Sequence, residues 1–220
     1  MQDSSLEAVV VETGPDPDAC IVWLHGLGAD GHDFEPIAAE LNLPGAVRFI
    51  FPHAPVRPVT INGGMAMRAW YDIASPDLRR RVDAAGIRQS QASIDRLLDS
   101  QIAAGVPPGR IVLGGFSQGG VIALETGVRR RPPLAGIVAL STYVALADEF
   151  PPAPPDAAPI LMMHGSLDSI VPLALAEDSR RLLEALGYPV EWHVFPMAHA
   201  VCTEELAILR RWLLARFGWR

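Results

Sequence analysis

Residues 110–125 read Arg110-Ile-Val-Leu-Gly-Gly-Phe-Ser117-Gln-Gly-Gly-Val-Ile-Ala-Leu-Glu125. An apolar run, Ile111 to Gly114, feeds the pentapeptide Gly115-Phe-Ser-Gln-Gly119, and a second apolar run continues from Val121 as helix. A serine on so sharp a strand-to-helix turn sits in strained backbone, and its neighbours must lack bulky Cβ groups for strand and helix to pack closely. The helix beginning just after it aims free N–H groups at the same point, where they can stabilise an oxyanion. Ser117 is therefore a candidate nucleophile. Five residues are too few to carry that reading, so it rests on the order of the elements around them.

Outward from this turn, short β-like runs recur at Ala8–Val11, Cys20–Leu24, Val47–Phe51, Ile111–Gly114, Gly136–Leu140, Ile160–Met163 and Val190–Phe195. Several are almost wholly apolar, as expected of strands covered on both faces. Helical patterns separate them. Ile87, Ile94, Leu97, Leu98 and Ile102 form one stripe, ended by Gly105 and Pro107. A second helix spans Val121 to Val128, and a third runs from Leu173 to Leu186 and stops at Gly187. The last starts near Thr203 with Glu204 and Glu205 in its first turn, suiting the dipole, and carries the stripe Leu206, Leu209, Leu213 and Phe217. Alternation of this kind predicts an α/β fold with a central, mostly parallel sheet of about seven strands flanked by helices. Residues 145–159, with five prolines, read as a surface loop. Residues 52–82 show no clear periodicity, and so long a loop in a compact domain is usually functional; they are assigned to the substrate-facing wall.

The chain has 220 residues, half of them apolar and a fifth charged, which suits one domain over 1–220 with no room for an inserted cap domain. A net charge of −7 argues against a nucleic-acid surface. All 18 basic residues are Arg, so Schiff-base and Ser–Lys chemistry are excluded. The start of the chain lacks the basic and apolar regions of a signal peptide, and no apolar stretch approaches transmembrane length. Cys20 and Cys202 lie far apart without metal-type spacing, and read as two buried thiols of a cytoplasmic protein. His25, His164 and His193 are too dispersed for a metal site, so no metal is expected. Arg79–Arg81 and Arg129–Arg131 read as solvated surface, and Glu125 as a packing residue.

A serine nucleophile on this arrangement requires an acid and then a histidine, each beyond the carboxyl end of a later strand. Of Asp148, Asp156, Asp168 and Asp178, only Asp168 closely follows a strand, in Ile160-Leu-Met-Met-His-Gly-Ser-Leu-Asp168. His193 lies within a strand, whereas His199 lies past its end, in Phe195-Pro-Met-Ala-His199, where a loop can fold it over the serine. The catalytic set is thus Ser117, Asp168 and His199. An oxyanion hole needs two N–H donors. The backbone of Gln118 supplies one, and Leu27, flanked by glycines in Trp23-Leu-His-Gly-Leu27-Gly28, supplies the other.

With these residues in place the chain resembles the phospholipase/carboxylesterase family of α/β-hydrolases, which includes acyl-protein thioesterases and small bacterial carboxylesterases. The resemblance runs from Cys20 to Phe217. It rests on His25-Gly-Leu-Gly-Ala-Asp-Gly-His-Asp-Phe34, Phe51-Pro-His-Ala-Pro55, Thr60-Ile-Asn-Gly-Gly64, Trp70-Tyr-Asp-Ile73, the Ser117 segment, Leu140-Ser-Thr-Tyr143, His164-Gly-Ser-Leu-Asp168 and Pro196-Met-Ala-His199.

The resemblance implies the α/β-hydrolase fold and hydrolysis of carboxylic esters or thioesters through an acyl-serine, without metal or organic cofactor. Its triad falls on Ser117, Asp168 and His199. Its acyl groove matches Ile61, Met65, Trp70 and Ile73 on one side, with Tyr143 and Val171 on the other. The segments Thr60–Asn62 and Trp70–Ile73, and Pro196, are closer to bacterial carboxylesterases, so the expected activity is that of a serine carboxylesterase on short- to medium-chain acyl esters. Acyl-protein thioesterase or lysophospholipase activity is the alternative, and a catalytically silent binding protein the alternative of another class. Apolar residues around such a groove can serve lipid or a second copy of the chain as a homodimer.

Overall fold

The computed structural model describes residues 6–219. Among the described residues there are nine strands: β1 (Ala8–Glu12), β2 (Ala19–Leu24), β3 (Val47–Pro52), β4 (Val56–Val59), β5 (Met65–Arg68), β6 (Ile111–Phe116), β7 (Gly136–Leu140), β8 (Ile160–Gly165) and β9 (Val190–Phe195). Between them lie α1 (Ile37–Glu40), α2 (Ala84–Ala103), α3 (Gln118–Gly127), α4 (Leu173–Ala185) and α5 (Thr203–Phe217). Seven strands form one sheet in the order β1-β3-β2-β6-β7-β8-β9. Within this sheet only the β1–β3 pair is antiparallel.

The apolar runs explain this arrangement. All six residues of β2 are buried, because both faces of the sheet are covered. Their period-two alternation divides the core: Cys20, Val22 and Leu24 join Ile87, Ile94 and Leu98 of α2, whereas Ile21 and Trp23 join Leu209, Trp212 and Leu213 of α5. Each α2 residue buried at 87, 94 and 98 belongs to the stripe read from the sequence. The Asp83 carboxylate starts that helix by accepting the Gly86 N–H at 2.9 Å. All ten residues of α3 are buried, which explains a helix without a polar face. Trp212 is buried in α5 where the sequence stripe placed Leu206, which is only half-buried.

Three sequence readings need correction. Residues 52–82 are not structureless: β4 and β5 form an antiparallel hairpin, pairing Val56 with Arg68 and Val59 with Met65. Its turn, Gly63 and Gly64, takes the left-handed backbone that glycine tolerates, and a four-residue strand offers too few side chains for a visible period. Arg129 and Arg130 are not free surface. Arg129 meets the buried Glu125 at 2.7 Å, and Arg130 bridges Asp95 and Asp99 of α2. Cys202 is half-exposed rather than buried, while Cys20 is buried and its thiol is pushed up to about 12 by desolvation. Among the described residues no inserted domain caps the carboxyl edge of the sheet, and no helix is long and apolar enough to cross a membrane.

Candidate active site

The carboxyl ends of β2, β6, β8 and β9 converge on one place. At the end of β6, Ser117 has φ 55° and ψ −119°, a conformation costly for a residue with a side chain and stable only where its surroundings enforce it. Three contacts do so. Its N–H donates to the Leu140 carbonyl at 2.9 Å, extending the β6–β7 ladder, and its carbonyl accepts the Thr142 hydroxyl at 2.7 Å and the Gly120 N–H at 3.0 Å. Close approach decides the glycines. A Cβ on Gly115 would lie 2.4 Å from the Gly119 carbonyl carbon, and one on Gly119 would lie 2.2 Å from the Leu24 carbonyl oxygen.

His199 reaches this serine from the loop after β9. Its Nε2 lies 2.9 Å from Ser117 Oγ, and its Nδ1 lies 2.7 Å from Asp168 Oδ2. The loops carrying the two residues are stitched together, with Ser166 N–H on the Phe195 carbonyl at 2.7 Å and Leu167 N–H on the Met197 carbonyl at 3.0 Å. Asp168 Oδ1 accepts the N–H groups of Ile170 and Val171, both at 2.9 Å, which leaves Oδ2 to face the imidazole. The Asp168 side chain is fully buried, and His164, behind it, is held neutral because burial lowers its basicity. His164 Nε2–H donates to the Val171 carbonyl at 2.8 Å and fixes the far side of the Asp168 loop. Phe116 lies under the His199 ring, with centroids 4.7 Å apart.

Two backbone amides border the same place, for Gln118 directly follows Ser117 and Leu27 lines a cleft together with Ser117 and His199. The Gln118 N–H opens α3 and so has no partner within the helix. The Leu27 N–H lies in the half-buried turn after β2. A hydroxyl, an imidazole, a buried carboxylate and two free amides in this arrangement can deliver a nucleophile to a carbonyl carbon and stabilise the oxyanion that forms.

A cleft of about 550 Å³ opens beside Ser117 and His199, lined by Leu27, Phe34, Phe116, Ile170 and Val201. Only Leu27 of these was singled out in the sequence, and as a backbone donor. The signals were faint: Phe116 sits inside the pentapeptide, and Ile170, 62% exposed, follows Asp168 by two residues.

The six residues matched to the acyl groove are scattered. Ile61 and Met65 are exposed on the hairpin, and Ile73 is half-buried, its carbonyl accepting the Ile61 N–H at 2.8 Å. Val171 is buried behind Asp168. Tyr143 is buried and lines a separate cavity of about 420 Å³ with Leu78, Leu175 and Leu182. Trp70 is the clearest correction. Its side chain is 0% exposed, packed on His25 with ring centroids 5.3 Å apart, and so is core rather than wall. His193, excluded by its place within β9, pairs with Glu191 at 2.9 Å. No three His, Cys, Asp or Glu among the described residues gather as metal ligands.

A family model described as phospholipase/carboxylesterase matches residues 6–215. Acyl-protein thioesterase 1 of Neurospora crassa is 40% identical over 212 residues, which is 90% of this chain and 86% of the relative. Acyl-protein thioesterase 1 of Gibberella zeae is 36% identical over 231 residues, 97% of this chain and 98% of the relative. Acyl-protein thioesterase 2 of Zea mays, a solved structure, superposes with a TM-score of 0.84 at 29% identity, covering 97% of this chain and all of that one. The chain therefore belongs to the phospholipase/carboxylesterase family of α/β-hydrolases and is a serine hydrolase.

Proposed function

We propose that the chain hydrolyses acyl thioesters, acyl groups on protein thiols foremost, and cleaves the corresponding oxygen esters by the same route. The observation that carries the chemistry is the unbroken chain from Ser117 Oγ to His199 at 2.9 Å and from His199 to Asp168 at 2.7 Å, on a strained turn beside an open cleft. His199 Nε2 takes the hydroxyl proton as Ser117 Oγ bonds to the acyl carbon. Asp168 holds the imidazole in the right tautomer and stabilises its charged form. The tetrahedral oxyanion is received by the N–H groups of Leu27 and Gln118. Its collapse breaks the carbon–sulfur or carbon–oxygen bond, and His199 returns the proton to the leaving group. Water, deprotonated by His199, then attacks the acyl carbon, the bond to Ser117 Oγ breaks, His199 returns the proton to that oxygen, and the acid leaves.

The choice of thioester rests on the relatives. Two that are 36% and 40% identical over most of the chain are named acyl-protein thioesterase 1, which outweighs the lean towards short-chain carboxylesterases drawn from Thr60–Asn62, Trp70–Ile73 and Pro196. A thiolate also leaves more readily than an alkoxide, so the same residues serve both substrates. The cleft lined by Phe34, Phe116, Ile170 and Val201 is large and apolar enough to take the acyl chain, with the exposed Ile61 and Met65 on the adjoining hairpin as an outer wall. Both thiols are free, which suits a cytoplasmic setting.

The test compares kcat/KM for a medium-chain acyl thioester, its oxygen ester and a lysophospholipid, with Ser117→Ala as control. The expected outcome is a thioester preference and a loss on the order of 10³-fold or more in the variant. A variant as active as the wild type would remove Ser117 from the mechanism. A thioester rate far below that of the matched ester would return the substrate class to carboxylic esters.

A further inference from the structure

The Leu27 and Gln118 amides lie on different elements, and neither backbone alone sets their separation. Two buried side chains outside the reacting set tie them together. His25 Nε2 accepts the Ala54 N–H at 3.0 Å, so that nitrogen carries no proton, and the neutral ring must hold its proton on Nδ1. Nδ1–H then donates to the Gly26 carbonyl at 2.7 Å. That carbonyl belongs to the same peptide unit as the Leu27 N–H. In a planar trans peptide the two point in opposite directions, so gripping one aims the other. Burial disfavours the charged imidazole and keeps this tautomer in place.

Trp70 links this turn to the nucleophile's side. Its indole Nε1–H donates to the His25 carbonyl at 2.9 Å, and its backbone N–H donates to Gln118 Oε1 at 2.7 Å. The Gln118 side chain completes the bridge by donating to the Tyr71 carbonyl at 2.7 Å. On the far side, the Ser117 carbonyl, which shares a peptide unit with the Gln118 N–H, is gripped by the Thr142 hydroxyl. Each donor is thus aimed by a hydrogen bond on the opposite edge of its own peptide, and Trp70 joins the two.

We infer that His25 and Trp70 are positioning residues that fix the direction and spacing of the two oxyanion donors. The inference rests on the Ser117 mechanism proposed above. It assigns Trp70 a part in the reaction without contact with substrate, and it gives a reason for a buried polar histidine where an apolar residue would pack as well.

Two substitutions at one site separate positioning from packing. His25→Asn places an amide N–H where Nδ1–H stands and keeps the grip on the Gly26 carbonyl. His25→Gln places an amide oxygen near Nε2, keeps the Ala54 contact and leaves the Gly26 carbonyl to the longer Ala29 N–H contact at 3.3 Å. Each loses one buried hydrogen bond and part of the ring, so a purely structural role costs both the same. The expected result is a kcat about tenfold or more lower for His25→Gln than for His25→Asn, with KM within roughly twofold and similar melting temperatures. Affinity for a trifluoromethyl ketone, which forms the oxyanion on Ser117, falls with kcat. Trp70→Phe, which removes the indole N–H together with the five-membered ring that carries it, lowers kcat with KM within roughly twofold and carries the test if the His25 variants do not fold. Equal kcat in the Asn and Gln variants, or an unchanged kcat in Trp70→Phe, overturns the inference while Ser117→Ala remains inactive. Hydrolysis retained in Ser117→Ala overturns the mechanism itself and this inference with it.

Discussion

Replacing Gly119 by Ala puts one methyl group where the backbone of β2 already is. The added Cβ lies 2.2 Å from the Leu24 carbonyl oxygen and 2.6 Å from that of His25, two atoms that cannot swing aside. Carbon and oxygen come no nearer than about 3.3 Å even in favourable contacts, so α3 and β2 must part by about 1 Å. Overpacking of this kind costs about 1–3 kcal/mol. For a chain of this length that lowers the melting temperature by about 2–12 °C. Activity suffers more than stability, because the contact lies between the two oxyanion donors. Gln118 moves with α3 and Leu27 with the end of β2, and a misplacement of about 1 Å in reacting groups can cost about 10²-fold in rate. Thermal unfolding and steady-state hydrolysis on the same samples measure both effects. Gly109→Ala is the control, since a Cβ there meets nothing within 4 Å. A Gly119→Ala protein with wild-type kcat and melting temperature would refute the reading that this contact sets the distance between the donors.

Asp168→Asn keeps the acceptor for the Ile170 and Val171 N–H groups but turns an amide N–H towards His199 Nδ1. The imidazole is then driven to the wrong tautomer, and kcat falls by about 10⁴-fold with little change in stability; a kcat within tenfold of wild type would exclude Asp168 from this role. Glu205, fully buried at the start of α5, has its carboxyl pushed up to about 7 from 4.5 by desolvation. A raised acid favours the protonated folded state, so its penalty is absent below pH 4.5 and complete above about 7, where it reaches on the order of 3 kcal/mol. Glu205→Gln carries no such penalty. Urea unfolding should show the variant gaining on the wild type between about pH 5 and 8, and a gap independent of pH would show that Glu205 is not buried as a neutral acid.

The main sheet was legible because its strands are covered on both faces and so read as unbroken apolar runs. Cys20–Leu24 and Ile160–Met163 are such runs, and Gly136–Leu140 and Val190–Phe195 agree with the structure to the residue. The convergence of Ser117, Asp168 and His199 was legible for a different reason. Each lies just past a strand, and parallel strands deliver their carboxyl ends to one edge. What escaped were features made by contacts between distant segments. The β4–β5 hairpin is held by cross-strand pairing rather than by an apolar period. The ion pairs of Arg130 with Asp95 and Asp99 depend on the end of α3 lying against α2, and Glu205 takes a helix-start position whose burial the sequence does not reveal.

Trp70 shows why a substrate wall is harder to read than a nucleophile. An aromatic residue in an aperiodic segment suggests a surface that meets ligand, yet here the segment turns inward at Trp70, which donates hydrogen bonds to the His25 carbonyl and the Gln118 side chain. The residues that do border the cleft, Phe34, Phe116, Ile170 and Val201, come from four segments with no common pattern. They line an open cleft, whereas His25, Trp70 and Gln118 are buried. Phe34, Ile170 and Val201 belong to the cleft, whereas Phe116 also packs on the His199 ring. Under the proposed mechanism, substitutions at Phe34, Ile170 or Val201 should change the preferred acyl group, and a substitution at Phe116 should change the rate as well.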